Sequence, residues 1–333
     1  IGKNVKRPVV DMHFFNPEKV TSRFQGPVYD SKPREPGFFT RAFPSLSYYL
    51  RVYFGTTLWT VIKAKRGTFD DKAWLYSCNW FLDEVERTGI HVHADGLQYI
   101  DQLEGRPCVI CANHMSTLET YMLPAILLPR FPVTFVVKKY LVEMPLFCDV
   151  MKSRSPVVLG RSNPREDLLK VLHEGSDRLK KGMSVVVFPQ GTRCEHFDDA
   201  KFNSLAVKLA ARAGVPLVPL ALKTDAWSVG HRIKDFGRIY PNRDVLFRFF
   251  PPITVNGPGH AEHNAIRETL SETLSFWEKR QDILDRHALP FTPPNFRLPA
   301  AIDPAALAES GQETAEPGQK PDESSGTSDG SRL

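Results

Sequence analysis

Between residues 108 and 222 short apolar runs alternate with longer stretches whose apolar side chains recur at helical spacing, and this alternation restricts the chain to few architectures. Residues 108–112, 133–137, 157–159, 184–188 and 216–222 are rich in Val, Ile and Leu and too short for helices, as strands buried on both faces are. Between them, 116–128, 144–153, 164–181 and 201–213 follow helical periodicity, the last closed by Gly214. Strands that alternate with helices pair in parallel under a helical cover. The expectation is therefore an α/β fold with a mostly parallel sheet covered by helices. Residues 244–250 add a late strand, and Ile266, Leu270, Leu274 and Trp277 mark a last helix within 261–287.

The chain before this region has a different character. Residues 1–44, rich in Pro, Gly, charge and aromatics without sustained periodicity, are expected to form an extended arm. Residues 45–62 are the most lipophilic stretch, flanked by Arg41, Lys63, Lys65 and Arg66. A core helix, a membrane span and a helix lying in the headgroup region all compete for it. Arg51 and three threonines argue against a span, and aromatics with basic flanks favour the interfacial helix. Asp70 and Asp71 can cap a second amphipathic helix carrying Trp74, Leu75, Cys78, Phe81, Leu82 and Val85, whose stripe suits packing on protein better than on lipid. The expected division is an arm (1–44), a pair of membrane-docking helices (45–90), a catalytic domain (91–292) and a disordered, Pro-, Ser- and acid-rich tail (293–333).

Charge points to an anionic partner. The formal net charge is +5, but residues 300–333 carry seven acidic and two basic side chains, so the body carries +10. A phospholipid surface, a phosphorylated or CoA-type substrate, or nucleic acid would suit that field. The aromatics cluster in the lipophilic helix and do not interleave with basic residues, which speaks against nucleic acid. Five cysteines form no even framework, and nothing at the start of the chain reads as a cleavable signal, so the expected setting is the cytoplasm. Cys108 and Cys111 have redox or zinc spacing but sit in an apolar run, where they read as buried small hydrophobes. His91 and His93 alternate as on a strand, with no third ligand beside them, and no metal site is expected.

Two segments carry chemistry. In Asn113-His114-Met115-Ser116-Thr117-Leu118-Glu119, His114 leaves a strand end and Ser116 begins a helix, so Glu119 in the first turn can reach the imidazole. The same Glu119 can close a capping box on Ser116, and spacing alone leaves both roles open. In Phe188-Pro189-Gln190-Gly191-Thr192-Arg193, a turn after an apolar run offers backbone N–H groups and a guanidinium to a phosphate.

These segments resemble the glycerolipid acyltransferase family, best known as 1-acylglycerol-3-phosphate acyltransferases. Asn113, His114 and Ser116 match its first motif, Asn-His with Ser two positions on, and Glu119 stands where the family has Asp. Lys138-Lys139-Tyr140-Leu141 with Pro145 is similar to its Lys-Lys-Glu-Leu…Pro segment, and Arg161 stands where the family keeps an arginine. Residues 188–193 resemble its Phe-Pro-Glu-Gly-Thr-Arg motif with Gln190 for Glu, and 215–220 resemble its Val-Pro-Ile-Val-Pro-Val segment. Ser155 replaces a glycine usually found six residues before the arginine.

The resemblance implies a glycerol-3-phosphate acyltransferase-like αβ domain behind a membrane-docking helical pair. It implies acyl transfer from acyl-CoA or acyl carrier protein to a lysophospholipid hydroxyl, most simply that of 1-acyl-sn-glycerol-3-phosphate, with phosphatidic acid as product. No cofactor and no metal is implied. His114 would act as base and Glu119 as its partner. Lys138, Arg161, Gln190, Gly191, Thr192 and Arg193 would bind substrate, and Asn113, Ser116 and Pro189 would hold the motifs in place. The implied location is the cytoplasmic face of the cell membrane. The changes at Glu119, Tyr140 and Gln190 keep open another acceptor, such as a different lysophospholipid or an aminolipid, or a weakly catalytic lipid- or partner-binding member.

Overall fold

The computed structural model of the chain describes residues 20–32, 34–160, 163–281 and 291–292. Eight strands, β1 (Val28–Asp30), β2 (Val92–Asp95), β3 (Val109–Ala112), β4 (Val133–Lys138), β5 (Val157–Leu159), β6 (Ser184–Val187), β7 (Leu217–Lys223) and β8 (Val245–Phe249), form one sheet in the order β1-β2-β8-β7-β3-β6-β4-β5. Strands β3 to β7 all run the same way. β8 returns antiparallel to β7 because residues 224–244 link them without a crossover helix. β2 lies parallel to β8, and β1 closes the edge antiparallel to β2. The fold is thus α/β with a mostly parallel sheet.

Helices α1 (Phe38–Ala42), α2 (Pro44–Arg51) and α3 (Leu58–Lys65) precede α4 (Asp71–Arg87), whose Asp70 cap accepts from the Ala73 N–H at 2.8 Å. Then come α5 (Gln98–Asp101), α6 (Leu118–Leu127), α7 (Lys139–Glu143), α8 (Cys148–Lys152), α9 (Pro164–Lys170), α10 (Ser176–Lys180), α11 (Leu205–Ala213) and α12 (His260–Gln281). Alternation along the strands sends Val109, Cys111, Val185, Val187, Leu217 and Ala221 into a core with Val207, Leu209 and Ala210 of α11 and Ile266, Leu270 and Trp277 of α12. The intervening Ile110, Ala112, Val186, Val218, Leu220 and Leu222 point the other way and are equally buried, so both faces of the sheet are covered.

Several elements differ from expectation for local reasons. The helix expected at 201–213 starts at Leu205, because the Asn203 side chain accepts the Leu205 N–H at 2.9 Å. The one expected at 144–153 is shorter, α8 alone, and an extended Met144 separates it from α7, which was not expected. The one at 164–181 is a single run whose middle, Val171–Gly175, widens into a π-helix. The arm is not loose where it is described. Phe24 is buried, β1 joins the sheet, and Arg23 donates to Asp83 at 2.9 Å and to Glu86 at 2.8 Å on α4. The tail expected to be disordered lies outside the described residues.

The stretch from α2 to α3 is also continuous, joined by a π-helical segment, Val52–Thr57. Its exposed apolar residues are Leu46, Leu50, Phe54, Leu58 and Ile62, one every four positions, with Phe54 the most open at 75%. On an α-helix each four-residue step overshoots a full turn by about 40°, so such a stripe would wind off the face. A wider π turn in the middle rotates less per residue and cancels part of that drift. By contrast α4 turns its stripe inward, and Phe81 stacks on Tyr121 of α6 at 4.1 Å. Among the described residues no helix is long and apolar enough to cross a membrane.

Candidate active site

The parallel strands bring the motifs to one edge. β3 sits between β6 and β7, with β4 next to β6, and all four end on the same side. Residues 113–119 follow β3, 188–193 follow β6, Lys138 ends β4, and Thr224 follows β7. The C-terminal edge of an open α/β sheet is where ligands bind, since the loops there converge.

His114 and Glu119 meet across the turn from β3 into α6. Imidazole Nδ1 lies 2.6 Å from Glu119 Oε1, and the carboxylate is fully buried. Oε1 also accepts the Met115 N–H at 2.8 Å, and Oε2 accepts the Ser116 N–H at 3.0 Å, the Ser116 hydroxyl at 3.2 Å and the Thr224 hydroxyl. A carboxylate receiving that many donors is fixed in position. It fixes the imidazole proton on Nδ1 and leaves the Nε2 lone pair as the basic position. The Phe188 ring stacks on the imidazole at 4.3 Å and 16° and sets its plane. The Ser116 hydroxyl in turn accepts the Leu118 N–H at 3.1 Å, and with Glu119 reaching back to the Ser116 N–H, the carboxylate half of the capping box forms. One carboxylate serves both the cap and the imidazole.

The supports are built from the neighbouring strands. Buried Asn113 donates to the Leu222 carbonyl at 2.8 Å and accepts the Leu222 N–H at 2.9 Å, extending the β3–β7 ladder past the end of β3. The His114 carbonyl accepts the Cys194 N–H at 2.9 Å, tying the loop after β3 to the one after β6. That second loop turns at Gly191, whose φ of 64° is the left-handed conformation glycine adopts without strain. The Pro189 carbonyl accepts from the Asn203 side chain, and the Thr192 carbonyl accepts from the Cys194 thiol at 3.6 Å.

Gln190 and Arg193 are placed differently from a simple phosphate cradle. Gln190 is buried, and its Oε1 accepts the His114 N–H at 3.2 Å. Its Nε2 has no partner among the described residues. Arg193 takes a carboxylate from elsewhere: its Nη1 donates to Asp235 Oδ1 at 2.7 Å, to the Lys234 carbonyl at 3.3 Å and to the Thr117 hydroxyl. Thr117 also donates to Asp235 at 3.0 Å. Lys138 is half-buried at the end of β4. Arg161 lies outside the described residues.

Beside the His114 loop a cleft of about 640 Å³ is lined by Asn113, Met115, Gln190, Lys223, Arg243 and Glu278, among others. Lys223 is almost fully buried there, and burial lowers its pKa against the opposing pull of Asp225, which binds both Lys223 and, at 3.1 Å, Arg243. The sequence gives Phe188 a place in a motif but no role, and it does not single out Thr224, Asp235 or Lys223. Thr224 and Lys223 could have been found as the residues leaving β7 on the edge that carries His114. Asp235 sits in a loop with no local signature.

The two cysteines resolve as core, and the two histidines as a cluster with Asp30. Cys108 and Cys111 are buried, burial pushing the Cys108 thiol up to about 12 and the Cys111 thiol higher still. His91 Nε2 and His93 Nδ1 both lie against Asp30 Oδ1, at 2.8 and 2.9 Å, on the far edge of the sheet.

Known proteins resemble this chain in sequence and in fold. A family model described as Acyltransferase matches residues 91–223. The 1-acyl-sn-glycerol-3-phosphate acyltransferase of Pseudomonas aeruginosa is 35% identical over 148 residues, 44% of this chain and 54% of that protein. The enzyme of the same name from Saccharomyces cerevisiae is 30% identical over 141 residues, 41% of this chain and 46% of that one. The chain therefore spans about half the length of these curated relatives. In fold it is similar to the crystal structure of the 1-acyl-sn-glycerophosphate (LPA) acyltransferase PlsC from Thermotoga maritima, with a TM-score of 0.54 and 19% identity over 72% of this chain and 98% of that one. The motif-bearing strand edge lies within the stretch, residues 91–223, that matches the acyltransferase family model.

Proposed function

We propose that this chain transfers a fatty acyl group from a thioester, acyl-CoA or acyl carrier protein, to the free hydroxyl of a lysophospholipid, with 1-acyl-sn-glycerol-3-phosphate as acceptor and phosphatidic acid as product. The observation that carries this reading is the 2.6 Å contact between His114 and a fully buried Glu119. His114 Nε2 takes the acceptor's hydroxyl proton as that oxygen attacks the thioester carbonyl. Glu119 stabilises the imidazolium that forms, and the departing thiolate takes the proton back when the tetrahedral intermediate collapses. Lys138, Arg161 and Arg193 hold the acceptor's phosphate, with the turn at Gly191 and Thr192 letting backbone approach it. The relatives' names support the reaction class.

In this reading the protein works on the cytoplasmic face of the membrane, seated through the α2–α3 stripe between basic flanks. The test is turnover by purified protein in detergent, with labelled acyl-CoA or acyl carrier protein and a panel of lyso-acceptors, beside His114→Ala. Unchanged turnover in the variant sinks the base assignment, and no turnover on any acceptor sinks the reading. One contact favours a second acceptor class. Asp235 already neutralises Arg193, which suits a lysophospholipid with a zwitterionic headgroup.

A further inference from the structure

We propose that residues 230–238, in the link between β7 and β8, form a second membrane-contacting element, a basic finger with an apolar tip that seats on an anionic lipid surface beside the α2–α3 stripe. The proposal rests on the lipid-acylating reading for its purpose but on separate observations for its support.

The first observation is composition against exposure. Ile233 is 59% exposed and Phe236 49%, large apolar groups on a surface segment, and His231, Arg232, Lys234 and Arg238 are exposed around them. Asp235 is the one carboxylate in the segment, and it turns inward to Arg193 and Thr117. The outward face is therefore basic and apolar without acidic relief. An anionic bilayer complements that combination, each Lys or Arg near its surface contributing about 1 kcal/mol.

The second observation is the bracing of the finger. The Ser228 N–H donates to the Arg238 carbonyl at 3.0 Å, and the Gly230 N–H to the Lys234 carbonyl at 3.2 Å, closing a hairpin-like loop. Gly237 is required for this closure, since a Cβ there would lie 1.7 Å from the Ser228 carbonyl oxygen. The Tyr49 hydroxyl donates to the Gly237 carbonyl at 2.5 Å, and the Ile239 N–H donates to the Ser45 hydroxyl at 2.9 Å. Phe236 stacks on Tyr53 with centroids 5.0 Å apart and planes within 9°. The finger is thus fixed to the helix that carries the exposed stripe, and the two seat as one body. Its inward residue, Asp235, grips Arg193, so seating also sets the depth at which Arg193 meets the lipid–water boundary.

The experiment is partitioning of the full chain onto phosphatidylcholine vesicles with and without phosphatidylglycerol, by sedimentation. Arg232→Gln combined with Lys234→Gln should weaken partitioning onto the anionic vesicles about 30-fold, and high salt should produce the same loss in the unaltered protein. Binding to the neutral vesicles should not change. Ile233→Ser should weaken binding to both kinds. Unchanged partitioning of the double variant overturns the proposal. So does a loss of its turnover on a short-chain, water-soluble acceptor, which would mean that the finger serves the site and not the membrane. Absence of turnover by the unaltered protein, with vesicle binding intact, would count against acyl transfer and leave the finger standing.

Discussion

Gln190 takes the backbone N–H of His114 on its Oε1, and its own Nε2, in the wall of the cleft, has no partner among the described residues. Gln190→Glu retains the acceptor and replaces only the donor, so stability should stay within about 1 kcal/mol. Gln190→Leu leaves the His114 N–H unpaired and should cost about 1–3 kcal/mol in chemical denaturation. The Glu variant should also raise the KM for a phosphomonoester acceptor about tenfold, one like charge added near the phosphate, with kcat held.

In the proposed mechanism Glu119→Gln removes the charge that stabilises the imidazolium. The amide's NH₂ also faces donors it cannot accept from, the N–H groups of Met115 and Ser116 or the Thr224 hydroxyl. Turnover should fall by about a hundred to ten thousand fold. Thermal unfolding should show a loss of about 1–3 kcal/mol at the same time. A Glu119→Gln protein that turns over at the normal rate would assign the carboxylate to the helix cap alone.

Arg193→Ala should raise the KM for a phosphomonoester acceptor at least tenfold and leave a zwitterionic acceptor nearly unaffected, while equal losses on both would argue against phosphate recognition. Asp235→Asn is the complementary probe. With its carboxylate neutralised, Arg193 has more charge to offer an anionic acceptor, so the KM for that acceptor should fall. A rise would identify Asp235 as a support that positions the guanidinium.

Ser155 holds φ at +49°, a left-handed conformation that costs a residue with a side chain about 1–2 kcal/mol. Glycine relieves that strain at some expense in chain entropy, so Ser155→Gly should stabilise the protein by about 0.5–1 kcal/mol, read as a rise in Tm of a few degrees. Its side chain is exposed, and no change in activity should accompany it.

Acid should loosen the β1 edge in two stages. Burial lowers the His93 pKa, outweighing its bond to Asp30, so the folded state takes up its proton less readily than the unfolded chain. That contribution to stability is complete above about pH 6.5 and is lost as pH falls below it. Burial raises the Asp30 carboxyl, but the hydrogen bonds from His93 and His91 outweigh it and hold the carboxyl below its ordinary value. Its contribution persists down to about pH 4 and disappears below. His93→Gln should flatten the upper stage in a pH series of denaturation midpoints and shrink the lower one, since the His93 bond to Asp30 is lost with it while that of His91 stays.

Much of the αβ body was legible because it depends on local pattern. The runs at 108–112, 184–188 and 216–222 are short and apolar at every position but Ser184, as strands covered on both faces are, and all three contain strands. The Asp70 cap was legible for the same reason, as a side chain acting three residues away. The pairing of His114 with Glu119 was legible as a possibility and undecided as a role, because five residues separate them and only the turn between strand and helix brings them together. What the sequence did not show depends on long separations. Thr224 reaches Glu119 from 105 residues away, and Asp235 reaches Arg193 from 42, in a loop without periodicity. The reversal of β8 was hidden likewise, since 224–244 carries no helix and no pattern to set a strand's direction. β1 escaped notice because three residues with one half-buried side chain give no alternation to read.

The shared use of Glu119 by the helix cap and the imidazole ties the reactive geometry to the most fragile part of α6, its first turn. Fraying there would release the carboxylate from Ser116 and Met115 and free the imidazole to rotate, while the sheet beneath stayed intact. Activity should accordingly fade on warming before circular dichroism registers any loss of structure, and hydrogen exchange at the Met115 and Ser116 amides should track that fading.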